Sequence, residues 1–242
     1  MNMTYLTLLL PELLAHAERD YPREACGVIA VVKGRQRYIP CRNIAEQNEH
    51  FVIHTTDYME ADEAGEIVAI VHSHCNQSAA PSQADRVSCE QSGLPWVIVA
   101  WPTGDVQQIT PSGYQANLVG REFSHGVLDC YALVRDYYRE SLGLNLANYP
   151  RADQWWLKGM DLYLQHFAKE GFVVVNDAPR RHDAFLMQVA STVPNHAAVY
   201  LGDNLILHHV MGRLSSRDVY GGWWQKITTH HLRHSSQMEV GA

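Results

Sequence analysis

Apolar and polar residues form helix-like and strand-like patterns in both halves of the chain, but in a different order. In the first half, short apolar runs rich in Val and Ile are separated by polar stretches with helical spacing, which predicts strands alternating with helices. The predicted strands cover residues 26–32, 35–40, 67–71, 96–101 and 106–109, and the predicted helices cover 10–19, 57–65 and 82–93. This pattern indicates an α/β domain, which we place at residues 1–112.

The second half has its helices first and its strands afterwards. The predicted helices cover residues 129–141 and 155–168, and the predicted strands cover 172–175, 184–189, 197–201, 205–210 and 217–220. This order is typical of an α+β domain, which we place at residues 118–242. The polar segment from His230 to the C-terminus is expected to be frayed.

Composition narrows the classes of function. The 242 residues are 46% hydrophobic, which is enough for two cores, and the formal net charge of -7 argues against general nucleic-acid binding. No apolar run approaches the roughly 20 residues of a transmembrane helix, and the N-terminal run 6–10 is too short for a signal peptide. Neither a membrane span nor an export signal is therefore expected. Five cysteines without a C-x-x-C pair indicate no disulfide framework, whereas 14 histidines justify a search for sites.

The first candidate site lies where a predicted strand ends. His72 and His74 are two residues apart, so both side chains leave the same face of the strand. Asp85 lies in the first turn of the next helix and can return beside that strand end. Two imidazoles and a carboxylate leave a fourth position for water, as in catalytic zinc sites. Glu24 is a candidate general base, provided that the strand after it neighbours the strand 67–71.

A simpler interpretation exists for part of this group. Ser82-x-x-Asp85 is also a capping box, which needs no metal. Glu24 could equally be an ordinary exposed carboxylate, and a His-x-His pair is common by itself.

Taken together, these residues and their spacing resemble the JAMM (MPN+) metalloprotease signature over about residues 4–110, with further similarity at Asn43, Phe51 and Asp57. The resemblance implies a Zn2+-dependent peptidase or isopeptidase of α/β fold. The roles that it implies are metal ligation by His72, His74 and Asp85, general base catalysis by Glu24, and hydrogen-bond donation to the oxyanion or the water by Ser82. Cys75 departs from the usual proline and is expected to point away from the metal.

The second candidate site begins at Cys130, at the start of a predicted helix, where the helix dipole and backbone N–H groups favour a thiolate. His196 precedes one strand and His208 lies on the next, so a tight hairpin can bring them together. A nucleophile, a base and an orienting group follow the logic of a catalytic triad. The alternative is that Cys130 is a small core residue and that His208 and His209 are an ordinary in-and-out strand pair.

Asp129-Cys130 at a helix start and the segment 196–208 resemble the NlpC/P60 cysteine peptidases over about residues 120–225. The resemblance implies that Cys130 is the nucleophile, His196 the base and His208 the orienting residue, with His209 as a competitor for the third role. It also implies a papain-like fold and peptidoglycan stem peptides as substrates.

A JAMM-like domain followed by an NlpC/P60-like domain resembles the tail-assembly proteins of lambda-like phages. This resemblance implies phage tail tip proteins and host peptidoglycan as partners. It also implies action in the host cytoplasm during assembly, or travel in the virion tail tip to the host periplasm. Two functions remain open, namely a bifunctional hydrolase and an assembly factor whose domains serve mainly as binding modules. The intact motif residues favour the hydrolase.

Overall fold

The computed structural model of the protein describes residues 3–48 and 50–238. They form two compact units, the first ending at Gln115 and the second beginning at Ala116. Each unit builds its own sheet around its own hydrophobic core. Within the described ranges, no helix combines the length and the apolar character that crossing a bilayer requires.

The first unit is a five-stranded sheet with helices on both faces. Its helices are α1 (Met3–Asp20), α2 (Thr55–Ala64) and α3 (Gln83–Ser92), and its strands are β1 (Cys26–Val32), β2 (Arg35–Cys41), β3 (Glu66–Cys75), β4 (Trp96–Trp101) and β5 (Val106–Ile109). The strand order is β2-β1-β3-β4-β5, and only the β3–β4 pair is parallel among these strands.

Alternation along β1 supplies side chains to both faces of this sheet. Ile29 packs in the cluster that contains the apolar side of α1. Val28 packs against Ala61 of α2 on the other face, where Cys89 of α3 contacts Ile70 of β3. Helix α1 therefore covers one face, and α2 and α3 cover the face on which the first candidate site lies.

Helix α1 begins earlier than the sequence pattern predicted. It starts at Met3, so Pro11 lies inside the helix rather than in its first turn. The additional turns are accounted for by Leu6 and Leu9, which are buried in the core of this unit.

The second unit is a six-stranded antiparallel sheet packed against α4. Its helices are α4 (Cys130–Leu142), α5 (Leu162–His166) and α6 (Gly222–Ile227), and its strands are β6 (Phe172–Val174), β7 (Ala184–Met187), β8 (His196–Gly202), β9 (Leu205–His208), β10 (Ser216–Val219) and β11 (Thr228–His234). The strand order is β10-β9-β8-β7-β11-β6. Leu133 and Tyr137 of α4 pack in one cluster with Val199 and Leu207.

The prediction that the chain frays from His230 onward is wrong for residues 230–238, and residues 239–242 lie outside the described residues. Most of β11 lies in this segment, and β11 pairs with both β7 and β6 inside the sheet. The reason is that its polar side chains have buried partners. Arg233 donates from Nε to Asp183 Oδ1 at 2.8 Å, and His231 Nε2 lies 2.6 Å from Asp183 Oδ2. Leu232, between them, is buried in the core.

The predicted helix 155–168 is also wrong as a single element. The structure has a 3-10 turn over Trp155–Leu157 and then the short α5. Gly159 lies between them with a φ of 74°, a left-handed conformation that interrupts a right-handed helix.

The contact between Asp183 and Arg233 leads to a stability prediction. Both side chains are buried, so Asp183→Asn leaves the guanidinium without its buried countercharge and should lower the free energy of unfolding by about 3 kcal/mol. Urea unfolding followed by tryptophan fluorescence measures the change. The control is Asp177→Asn, because Asp177 contacts the same arginine but is exposed, and it should cost less than about 1 kcal/mol. Equal losses in the two variants would contradict this assignment.

Candidate active sites

Two imidazoles and a carboxylate converge at the end of β3. His72 and His74 lie on β3, Asp85 lies in the first turn of α3, and all three are buried. The Nε2 atoms of the two histidines are 3.1 Å apart. Asp85 Oδ1 lies 3.2 Å from Nε2 of His72, and Asp85 Oδ2 lies 3.3 Å from Nε2 of His74. Tetrahedral ligands of one zinc ion are about 3.3 Å apart, so these separations fit a single ion.

The surroundings of the two histidines fix their rings. Nδ1 of His74 lies 2.8 Å from the carbonyl oxygen of Ser78, so it carries the hydrogen and leaves the lone pair on Nε2. The ring of His72 is stacked on Phe51 at 4.7 Å between centroids, and Trp96 meets it edge-on. Both Nε2 atoms are thereby directed at the shared point.

The electrostatics of this group favour a cation. Burial lowers the pKa of His74, but the Asp85 carboxylate and the Ser78 carbonyl outweigh it, so the pKa is raised overall. Burial opposes ionisation of Asp85, yet hydrogen bonds from His72, His74 and Ser82 hold its pKa far below the usual range. An ionised carboxylate facing two imidazole nitrogens in a buried position is a cation-binding arrangement.

Ser82 and Asp85 also form the capping box of α3. The N–H of Asp85 donates to Ser82 Oγ at 3.1 Å, and the N–H and O–H of Ser82 donate to Asp85 Oδ2 at 2.7 and 2.8 Å. Oδ1 of the same carboxylate stays directed at His72. The two interpretations of Asp85 are thus compatible, because Oδ2 accepts the capping hydrogen bonds and also faces His74, while Oδ1 faces His72.

Glu24 lies beside this group because β1 pairs with β3. Cys26 is opposite His72 in the register, and Glu24 lies two residues before Cys26. The carbonyl of Glu24 accepts a hydrogen bond from Nδ2 of Asn43 at 2.8 Å, which fixes its backbone. Its carboxylate is buried, and its charge contributes to the raised pKa of His74.

Cys75 does not contribute to the convergent donors. Its sulfur contacts the carbonyl oxygen of Arg23 at 3.3 Å, and it is absent from the buried group formed by His72, His74 and Asp85. Burial, and then the charge of Glu24, raises the pKa of the Cys75 thiol.

The second site is built on the start of α4. Asp129 caps the helix, since its Oδ1 accepts the N–H of Ala132 at 2.9 Å. Its Oδ2 accepts the N–H of Gly126 at 2.9 Å and Nε of Arg151 at 2.6 Å. Hydrogen bonds thus fix both carboxylate oxygens of Asp129. Cys130 directly follows this residue and occupies the first position of the helix.

The hairpin of β8 and β9 brings His196 and His208 together, with Nε2 of the first 3.1 Å from Nδ1 of the second. The sulfur of Cys130 contacts the main chain on both sides of His196. It lies 4.0 Å from the carbonyl oxygen of Asn195 and accepts a hydrogen bond from the N–H of Ala197. His208, and not His209, makes the hydrogen bond to His196.

Two residues at this site were missed in the sequence. Asp218 on β10 places Oδ2 3.1 Å from Nε2 of His208, and Trp224 of α6 packs edge-on against the same ring at 4.4 Å. The available signal for Asp218 was strand alternation, because Ser216 pairs with His208 and Asp218 follows two residues later on the same face. Nothing in the sequence pattern pointed to Trp224.

Burial sets the resting charge of this site. It raises the pKa of Cys130 to about 11, with Asp129 adding to the shift and the hydrogen bond from Tyr163 opposing it. Burial also lowers the pKa of His196 to about 3, together with the nearby His208. Burial therefore opposes the thiolate that the helix start is expected to favour.

Family models match both units. Prokaryotic homologues of the JAB domain match residues 8–111, and the NlpC/P60 family matches residues 120–233. The fold and the two sites thus define a protein with a JAB/MPN-like domain followed by an NlpC/P60 domain, and the predicted fold class is confirmed.

Curated relatives cover most of the chain. Tail tip assembly protein K of Escherichia phage N15 is 40% identical over 225 residues, covering 92% of each chain. The protein of the same name from Escherichia phage lambda is 41% identical over 179 residues, covering 74% of this chain and 87% of the relative. A CysO-cysteine peptidase of Mycobacterium bovis is 31% identical over 100 residues, covering 38% of this chain and 68% of the relative. The chain belongs to the tail tip assembly protein K family.

The hydroxyl of Ser82 belongs both to the helix cap and to the contacts of Asp85, which leads to a stability prediction. Ser82→Ala removes the hydroxyl that accepts the Asp85 N–H, so it should lower the free energy of unfolding by about 1 kcal/mol. Chemical unfolding monitored by circular dichroism measures the loss. Ser88→Ala, in the middle of the same helix, should cause none, because alanine has the higher helix propensity. A loss in both variants, or in neither, would exclude the cap as the source.

Proposed function

We propose that this protein is a phage tail tip assembly protein with two hydrolytic centres. The first is a zinc-dependent peptidase or isopeptidase of JAMM type, and the second is a thiol peptidase that cleaves peptidoglycan stem peptides. The supporting observation is that His72, His74 and Asp85 converge on one point, and that His196 pairs with His208 while the sulfur of Cys130 contacts the main chain next to His196. The corresponding partners are tail tip proteins and host peptidoglycan. The corresponding locations are the host cytoplasm during assembly, and the virion tail tip and host periplasm during infection.

In the first centre, His72, His74 and Asp85 would hold Zn2+, since their donor atoms fit one ion. When bound, zinc lowers the pKa of a water molecule and polarises the scissile carbonyl. Glu24 accepts the proton of the attacking water and returns it to the leaving amine. Ser82 donates to the carbonyl oxygen after its hydroxyl turns from Asp85, with which it is now bonded.

In the second centre, His196 uses Nδ1 as the base, because its Nε2 is bonded to His208. It takes the proton of the Cys130 thiol, the sulfur lone pair forms a bond to the carbonyl carbon, and the carbonyl π pair moves to oxygen. The C–N bond then breaks as His196 returns the proton to the amine, leaving a thioester. A water deprotonated by His196 hydrolyses the thioester and releases the carboxylate product and the thiol.

The second candidate function is an assembly factor whose two domains act mainly as binding modules. The observation that favours it is the burial of the second site, which raises the pKa of Cys130 and lowers that of His196, so that both favour their neutral forms. Such a pair reacts slowly unless something stabilises the charge-separated form. Activity of the wild-type protein distinguishes the two functions.

The metal assignment predicts about one zinc per chain in protein purified without a chelator. Elemental analysis by mass spectrometry should find this zinc lost in His72→Ala and in Asp85→Ala, because each removes one of three convergent ligands. The control is His54→Ala, since His54 lies in the same unit but contacts Arg42 instead. A wild type free of zinc, or equal retention in all variants, would contradict the assignment.

The thiol assignment predicts that Cys130→Ala abolishes the release of stem-peptide fragments from purified peptidoglycan, because no other group forms the thioester. Liquid chromatography with mass spectrometry detects the fragments. Cys75→Ala, which removes a half-buried thiol of the first unit, should retain full release. Release by Cys130→Ala would rule out the nucleophile, and a wild type that releases nothing would favour the binding-module function.

A further inference from the structure

A tyrosine outside both motifs contacts the candidate nucleophile. The hydroxyl of Tyr163 lies 3.2 Å from the sulfur of Cys130, although the two residues are 33 positions apart. Tyr163 belongs to α5, which follows α4 and precedes the first strand of the second unit in the sequence. The contact therefore comes from the segment whose helix the sequence pattern predicted incorrectly.

The ring of Tyr163 is held by other aromatic side chains. Trp155 packs against it at 5.9 Å between centroids with an interplanar angle of 63°, and Tyr131 packs at 6.2 Å with an angle of 69°. Asp161 caps α5 by accepting the N–H of Leu164 at 3.3 Å. The hydroxyl is thus positioned by packing of its ring and not only by its bond to sulfur.

The hydroxyl is a hydrogen-bond donor throughout the neutral range. Burial, and then the charges of Cys130 and Asp129, raises the pKa of Tyr163 well above its ordinary value, so the phenol keeps its proton. The hydrogen bond from Tyr163 in turn lowers the pKa of Cys130 against the effect of burial. Asp129, Arg151 and Tyr163 are the charged and titratable groups that act on the pKa of Cys130, and His196 follows Asn195, whose carbonyl oxygen contacts the sulfur.

We propose that Tyr163 is a catalytic residue of the second centre, whose hydroxyl donates a hydrogen bond that stabilises the Cys130 thiolate. When the thiol proton passes to Nδ1 of His196, the electron pair stays on sulfur and the Tyr163 proton stays on its own oxygen. A hydrogen bond to an anion is stronger than one to the neutral thiol, so this contact favours the charge-separated pair. The role in peptide cleavage rests on the proposed function, which makes Cys130 the nucleophile.

The test is the rate at which iodoacetamide alkylates Cys130 in the full-length protein as a function of pH. Peptide mapping by mass spectrometry separates Cys130 from the other four cysteines. Tyr163→Phe keeps the ring and removes only the donor, so alkylation of Cys130 at pH 8 should slow by about tenfold, and the profile should move to higher pH. Unchanged or faster alkylation in this variant overturns the proposal.

The matched control is Tyr131→Phe. Tyr131 belongs to the same aromatic cluster, but its hydroxyl donates to the carbonyl of Ala147, so this variant should be alkylated like the wild type. An equal slowing in both variants would indicate a loss of packing and would overturn the specific role of Tyr163.

A peptidase assay separates this proposal from the proposed function. Tyr163→Phe should lower kcat on a stem peptide by about tenfold with little change in KM, because the hydrogen bond acts on the nucleophile. A wild type that cleaves no stem peptide overturns the proposed function. The difference in alkylation then still decides whether Tyr163 stabilises the thiolate, because that readout needs no substrate cleavage.

Discussion

A carboxylate at the start of a helix fixes the geometry of both candidate sites. The first turn of any helix leaves backbone N–H groups without partners inside the helix, and an aspartate side chain satisfies them. In the first unit, Asp85 does this with one oxygen and directs the other at His72. In the second, Asp129 caps the helix that begins with Cys130 and binds Arg151 as well. Helix stability and site geometry thus depend on the same atoms.

The two sites bury polar groups in opposite charge states, one ionised and the other neutral. The first keeps its charge, because Asp85 remains ionised beside two imidazoles and the group is suited to a divalent cation. The second avoids charge, because burial holds Cys130 as a thiol and His196 as a neutral imidazole. The first site therefore keeps a charge that suits a cation, whereas the second would have to create charge to react as proposed.

The parts of this structure that the sequence predicted depend on local spacing. Patterns a few residues long predicted the His72-x-His74 pair at a strand end, the capping box of Ser82 and Asp85, and the strands of the first sheet. The strand β11 could not be predicted in this way, because its polar residues are buried only through Asp183, about 50 positions earlier. Two features of Cys130 likewise exist only once distant segments have packed together. They are its contact with Tyr163 and the raised pKa that burial gives to its thiol.

The polar side chains of the second site lie in a chain with a different group at each end. The Tyr163 hydroxyl contacts the sulfur of Cys130 at one end, and Asp218 faces the outer nitrogen of His208 at the other. Between them lie the Cys130 thiol and the His196 imidazole, which exchange a proton in the proposed function. A donor at the thiol end stabilises a thiolate, and a carboxylate beyond His208 stabilises an imidazolium, so both ends favour the ion pair that burial opposes. The resting neutrality of Cys130 and His196 is then a balance between desolvation and the two ends of this chain, and it shifts toward the reactive pair when either end is strengthened.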